Sequence, residues 1–142
     1  MYHAQISDFE TVKEIFYSHK KWFPHIRTDY MKRMIAKNNL ILDNDVVITY
    51  NFYKRKQKVG DIQAYKDDCI LHQIAAKNKG TASDVLQKFF KFVNRRVYLS
   101  VRSDNDIAKN FYLKNNMKQI GKTTWAKGTL PGDVYVYNEH TD

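Results

Sequence analysis

Apolar residues recur along this chain in two alternating periods. Phe9, Val12, Ile15, Phe16 and His19 are spaced at three and four, with Glu10, Lys13 and Glu14 between them, and Ser7 followed by Glu10 forms a capping-box pattern, so the spacing predicts a helix from there. Pro24 interrupts it after Trp22-Phe23. Thr28 is placed to cap a second helix with Tyr30, Met31, Met34 and Ile35 on its apolar side, ending near Lys37-Asn38-Asn39. The most regular stripe is Ala82, Val85, Leu86, Phe89, Phe90 and Val93, a helix expected to begin at Gly80. Ser103 with Asp106 resembles another capping box before a last helix marked by Ile107, Ala108, Phe111 and Tyr112, and Asn115-Asn116 closes it.

The remaining apolar segments are short and rich in β-branched and aromatic residues, which favours strands. They are Met1 to Ile6, Leu40 to Leu42, Val46 to Tyr53, Cys69 to Ala75, Val97 to Val101, Lys118 to Trp125 and Val134 to Tyr137. Asp43-Asn44-Asp45 makes the second and third a hairpin, Leu130-Pro131-Gly132-Asp133 separates the last two, and Lys54 to Asp68 reads as a loop or irregular hairpin. The order β-α-α-β-β-β-α-β-α-β-β predicts an α/β (α+β) fold, one domain over residues 1–142 with helices on both faces of a central mixed sheet.

Composition narrows the class. With 142 residues, 43% hydrophobic and 14% aromatic, the chain is long enough for one core and too apolar for disorder. No apolar run reaches a membrane span, and Met1-Tyr2-His3-Ala4 lacks a signal-peptide pattern, so a cytoplasmic protein without membrane contact is expected. Cys69 is the one cysteine, which excludes an internal disulfide and a cysteine-based zinc site. The net charge of +9 favours an anionic partner, whether nucleic acid, an acidic protein or a phosphorylated cofactor.

The chemistry concentrates in the strand-loop-helix around Lys77-x-x-Gly80-x-Ala82. Free amides and the positive dipole end at a helix start suit a diphosphate, Gly80 allows close approach, and Lys77 and Lys79 add charge. On the glycine alone an ordinary strand-to-helix turn is the competing reading. Thirty residues on, directly after a strand, comes Asn105-x-x-Ala108-x-x-Phe111-Tyr112. Together, in this order and spacing, the two segments resemble the GNAT superfamily of N-acyltransferases, whose Arg/Gln-x-x-Gly-x-Gly/Ala loop follows the fourth strand and whose Asn-x-x-Ala-x-x-x-Tyr helix follows the fifth. Lys77 stands where the family has Arg or Gln, and Asn116-Met117 where Gly-Phe is common.

The resemblance implies acetyl-CoA (CoA) as cofactor. Its site would involve Ile74, Ala75, Ala76, Lys77, Asn78, Lys79, Gly80, Thr81, Ala82, Ser83, Asn105, Ala108 and Tyr112, with the diphosphate on the amides of Asn78 to Ser83. It also implies direct attack of a primary amine, of a small molecule or a protein, on the thioester, with Tyr112 protonating the departing thiolate. Phenol and thiol have ordinary pKa values of about 10 and 8.5, close enough for that transfer. His72, which titrates near neutrality, is the first candidate for the base that takes the amine proton, and His25 the second. The run Lys54-Arg55-Lys56-Gln57-Lys58 keeps a nucleic-acid acceptor, or a non-catalytic CoA- or nucleic-acid-binding module, as the alternatives, against a solvated hairpin tip. Whether the protein is a monomer or a homodimer is open at this level.

Overall fold

A computed structural model describes residues 1–23 and 26–138. His25 therefore lies outside the described residues. The element order is β1 (Tyr2–His3), a 3-10 turn (Ile6–Asp8), α1 (Phe9–Tyr17), α2 (Thr28–Ala36), β2 (Leu40–Asp43), β3 (Val46–Phe52), β4 (Gln57–Val59), β5 (Ile62–Ala64), β6 (Cys69–Ala76), α3 (Ala82–Val93), β7 (Val97–Arg102), α4 (Asp106–Lys114), β8 (Lys118–Trp125) and β9 (Leu130–Tyr137). Seven strands form one mixed sheet in the order β1-β2-β3-β6-β7-β9-β8, flanked by the four helices, and β4 pairs with β5 in a separate two-stranded sheet. The α/β mixed-sheet expectation holds.

The chain divides into two compact units, Met1–Tyr50 with His72–Lys88, and Asn51–Leu71 with Phe89–Asp142. In the first, Val12, Ile15 and Phe16 of α1 and Met31, Met34 and Ile35 of α2 are buried with Leu40, Leu42, Val47 and Ala75. The three-and-four spacing thus marks the inward faces of both helices. The β2–β3 hairpin turns through Asn44 and Asp45 at φ 49° and 58°. Two successive left-handed residues make the turn whose twist matches the flanking strands, and Asn and Asp tolerate it. Phe16 is 1% exposed and meets Phe23 edge-on at 5.7 Å. Phe16→Ala is therefore expected to lower the unfolding free energy by about 3–5 kcal/mol, measured by urea denaturation.

The second unit holds the N-terminal part of β6 parallel to β7 (Cys69↔Val97, Ile70↔Tyr98) and β9 antiparallel between β7 and β8. A smaller core of Val59, Ala64, Tyr98 and Val134 lies here. Asp61 at the β4–β5 turn takes the Lys122 amide on Oδ1 at 2.8 Å and donates its own amide to the Lys122 carbonyl at 3.0 Å, which ties the hairpin to β8.

Several expectations shift. The first strand is only Tyr2–His3, because Gln5 turns the chain: its amide donates to Asp8 Oδ2 at 2.8 Å, and this reciprocal start replaces the Ser7/Glu10 box. Thr28 is the first helical residue of α2, and Arg27 precedes it in extended conformation without a side-chain cap. Residues 54–68 contain a true hairpin whose tip is Gly60-Asp61. The exposed Lys54, Arg55 and Lys56 lead into β4 rather than forming that tip. The helix expected from Gly80 starts at Ala82, since Gly80 has φ +89°. The last helix is capped by Asn105, whose side chain accepts the Ala108 amide at 3.2 Å, and Ser103 instead donates to Asp133. Ile107 is 83% exposed and so is not part of the core stripe. Finally, 130–133 belong to β9, and the turn before it is Ala126–Thr129.

Candidate functional site

The first unit carries the phosphate-type loop. β6 ends at Ala76, residues 77–81 turn, and α3 starts at Ala82. The turn is tied down on both sides: the Lys77 amide donates to the Asp45 carbonyl at 3.0 Å, and the Thr81 hydroxyl donates to the Asn78 carbonyl at 3.3 Å. His19 Nε2 donates to the Ala76 carbonyl at 2.6 Å, which fixes the end of the strand. A Cβ placed on Gly80 would meet nothing within 4 Å. The left-handed turn therefore opens on free space next to a helix start, where the first amides have no partner within the helix. This is a fit for a diphosphate cradled on main-chain amides.

The loop's charge is distributed differently from the sequence expectation. Lys77 Nζ pairs with Glu14 Oε1 at 2.7 Å, and that hydrogen bond and charge hold its ammonium above the ordinary value. Its cation is thus already compensated. Lys79 is exposed and makes no ion pair among the described residues, so the uncommitted positive charge of the loop is Lys79. Asn78 and Ser83 are exposed, Thr81 and Ala82 are half-buried, Ile74 is partly buried, and Ala75 is in the core of the first unit.

Also in the first unit, a cavity of about 500 Å³ is lined by Trp22, Phe23, Ile26, Arg27, Asp29, Tyr30, Arg33 and Gln73. Gln73 belongs to β6, where successive side chains point to opposite faces. The cavity therefore lies on the Gln73 face and His72 points away from it. His72 is solvent-exposed, although crowding around the ring lowers its pKa by desolvation. Face alternation thus removes the geometric support for His72 as the base acting in this cavity. Gln73 does not stand out in the sequence because it does not titrate. The available signal is a polar residue on the same strand face as Leu71 and Ala75, which are buried.

The second unit carries the α4 residues. Asn105 is 9% exposed and spends its side-chain oxygen on the α4 cap, and Ala108 is half-buried. Tyr112 is 8% exposed, edge-on to Phe111 at 5.5 Å and 6.0 Å from the Tyr135 ring. Its hydroxyl makes no hydrogen bond among the described residues. Burial pushes the phenol well above its ordinary value. Tyr112 therefore stays protonated across the whole neutral and mildly alkaline range, but it is a weaker acid than the comparison of ordinary pKa values suggested.

One face of α4 is anchored by a buried carboxylate. Asp133 on β9 is 2% exposed, accepts from Ser103 Oγ at 3.0 Å, and pairs with Lys109 Nζ at 3.1 Å and Lys122 Nζ at 3.8 Å. Burial alone would raise its pKa, but the hydrogen bonds from Lys109 and Ser103, with the two lysine charges, bring it below the ordinary value. A depressed carboxylate pKa stabilises the fold above the unfolded-state value near 4 and loses that contribution as pH falls through the folded value. Lys109→Met removes the main counterion, so the acid-unfolding midpoint is expected to move to higher pH, read by tryptophan fluorescence.

No family model matches the sequence. No curated protein matches it either. Solved structures do match the fold. An acetyltransferase of the GNAT family from Bacillus cereus superposes with a TM-score of 0.72 at 16% identity, over 96% of this chain and 94% of that one. Arabidopsis thaliana NAA60, solved in complex with acetyl-CoA, superposes with a TM-score of 0.66 at 15% identity over 94% of both chains. Ribosomal-protein-alanine N-acetyltransferase from Brucella melitensis gives 0.70 at 8% identity over 95% and 96%. The chain has the GNAT acetyltransferase fold.

Proposed function

We propose that the protein is an acetyl-CoA-dependent N-acetyltransferase acting on a primary amine. The observation that carries this reading is the turn at Gly80: a left-handed glycine facing open space between the end of β6 and the start of a twelve-residue helix, in a chain whose fold matches acetyltransferases almost end to end. Acetyl-CoA, when bound, supplies the thioester. The chain's own contributions are three. The amides of residues 78–83 and the Lys79 ammonium would hold the diphosphate. The cavity beside Gln73 would hold the acceptor amine. Tyr112 would donate a hydrogen bond to the leaving sulfur as negative charge develops there, a role its high pKa permits because the proton stays on the phenol until it is needed. The amine's own proton passes to water in this reading.

Binding is the first test. At about 100 times its Kd, a ligand that binds only the native state adds roughly 2.7 kcal/mol, a melting shift of roughly 5–10 °C for a domain of this size. Protein shown to be free of copurified CoA is expected to display that shift with millimolar acetyl-CoA. Absence of any shift would remove the cofactor from the proposal.

A further inference from the structure

That the cavity beside Gln73 holds the acceptor rests on the acyl-transfer reading; the chemical class of that acceptor is written in the cavity's lining. Trp22, Phe23 and Ile26 make one side apolar, and a volume of about 500 Å³ is that of a small-molecule site. Of the polar groups in the lining, Arg27 and Asp29 pair with each other and the Tyr30 hydroxyl is committed to Gln73, which leaves two groups to meet a ligand. The first is the Gln73 amide. Tyr30 Oη donates to Gln73 Oε1 at 2.8 Å, and Thr49 Oγ1, which accepts the Gln73 backbone N–H at 3.1 Å, donates to the same oxygen. Burial raises the Tyr30 phenol, which keeps it a donor. With the oxygen side of the amide occupied by two hydroxyls, the –NH2 faces the other way, and among the described residues it has no acceptor. The second group is Arg33. Its guanidinium lies 5.5 Å from the Tyr30 ring centroid, and no carboxylate among the described residues pairs with it, whereas Arg27 is matched to Asp29 at 3.5 Å.

The cavity therefore offers an apolar wall, two amide N–H donors and one uncompensated guanidinium beside the mutually paired Arg27 and Asp29. From this donor set we infer that the acceptor is a small amine carrying a carboxylate on an apolar or aromatic frame, of the kind a free apolar α-amino acid provides. The carboxylate would sit between Arg33 and the Gln73 –NH2, a planar two-oxygen group facing planar donors, and the frame would lie on Trp22, Phe23 and Ile26. Arg27 and Arg33 against Asp29 leave the lining one net positive charge, which suits a carboxylate better than a doubly charged phosphate.

Equilibrium binding separates this inference from the catalytic reading, because it requires no acyl transfer. The probes are 3-phenylpropionate and 3-phenylpropan-1-ol, the same frame with and without the carboxylate, titrated against wild type, Arg33→Gln and Gln73→Leu and followed by tryptophan fluorescence. A single cooperative melting transition and a wild-type far-UV circular dichroism spectrum establish that the variants are folded. Some loss of melting temperature is expected in Gln73→Leu from the two hydroxyls left without their acceptor. The acid is expected to bind at least tenfold more tightly than the alcohol in wild type, and Arg33→Gln is expected to bring the acid down to the level of the alcohol, with a smaller loss in Gln73→Leu. In transfer assays L-phenylalanine is expected to exceed phenethylamine and L-phenylalaninamide by a similar factor. Equal affinity of acid and alcohol in wild type, no binding of either, or an acid preference that survives Arg33→Gln overturns the inference. If acetyl-CoA still shifts the melting temperature and is turned over in those cases, the acyltransferase reading stands and only the acceptor class falls. If acetyl-CoA neither binds nor reacts, the acyltransferase reading falls first.

Discussion

Replacing Tyr112 by phenylalanine is expected to lower acetyl transfer by about 100-fold or more while leaving acetyl-CoA binding and the melting temperature close to wild type. The first half follows from the loss of the single phenolic proton that would stabilise the leaving sulfur. The second half follows from the structure: the ring packs on Phe111 and Tyr135, which phenylalanine preserves, and the hydroxyl has no hydrogen-bond partner among the described residues to lose. Steady-state rates at saturating acetyl-CoA, with the melting temperature alongside, check both. A related outcome concerns pH. Because burial raises the phenol, ionisation of Tyr112 should produce no falling limb in the wild-type rate profile below about pH 10, the ordinary tyrosine value. Undiminished activity in the phenylalanine variant would make Tyr112 a core aromatic only.

The second large effect is expected at Gly80. A valine there faces a double problem: its backbone must hold φ +89°, which side chains rarely adopt, and its methyl groups occupy the open space through which a diphosphate would reach the amides. Strain lowers the stability of the apo protein by roughly 1–2 kcal/mol. Occupation of the space abolishes the acetyl-CoA melting shift. The protein contains its own control, since Gly128 in the β8–β9 turn has φ +88° and equally open surroundings. Gly128→Val should carry a similar strain and keep the full acetyl-CoA shift. If both variants keep the shift, or both lose it, the loop at Gly80 is not where the diphosphate binds.

How far the sequence foretold these features depended on how local each one is. The α3 stripe, the β2–β3 hairpin and the left-handed Asn116 at φ 69° are decided within a few residues, and all three are as the pattern implied. The starts of α4 and β9 differ from the pattern because distant partners decide them. Ser103 looks like a cap but spends its hydroxyl on Asp133, thirty residues away, and Asn105 takes over the helix end. Pro131 and Gly132 look like a turn. Yet β9 pairs with β7 only from Gly132 onward, so Pro131 lies beyond that ladder and its missing N–H is tolerated there.

The candidate site divides in the same way. Gly80 and the Asn105-to-Tyr112 spacing are visible because they are contiguous motifs. Compensation of Lys77 by Glu14 joins residues 63 positions apart, and the orientation of Gln73 depends on Tyr30 and Thr49, so neither could be read along the chain. His72 stands out in the sequence because it titrates, yet strand alternation puts the neighbouring amide, not the imidazole, in the cavity.

The most direct measurement is the balance of the reaction itself. Wild-type protein is mixed with acetyl-CoA and a set of primary amines including L-phenylalanine, free CoA thiol is quantified, and acetylated amine is counted by mass spectrometry. Acetyl transfer requires one thiol released for each amine that gains an acetyl group, with both falling together in Tyr112→Phe. Thiol release without an acetylated amine, or neither product from protein that binds acetyl-CoA, would contradict it.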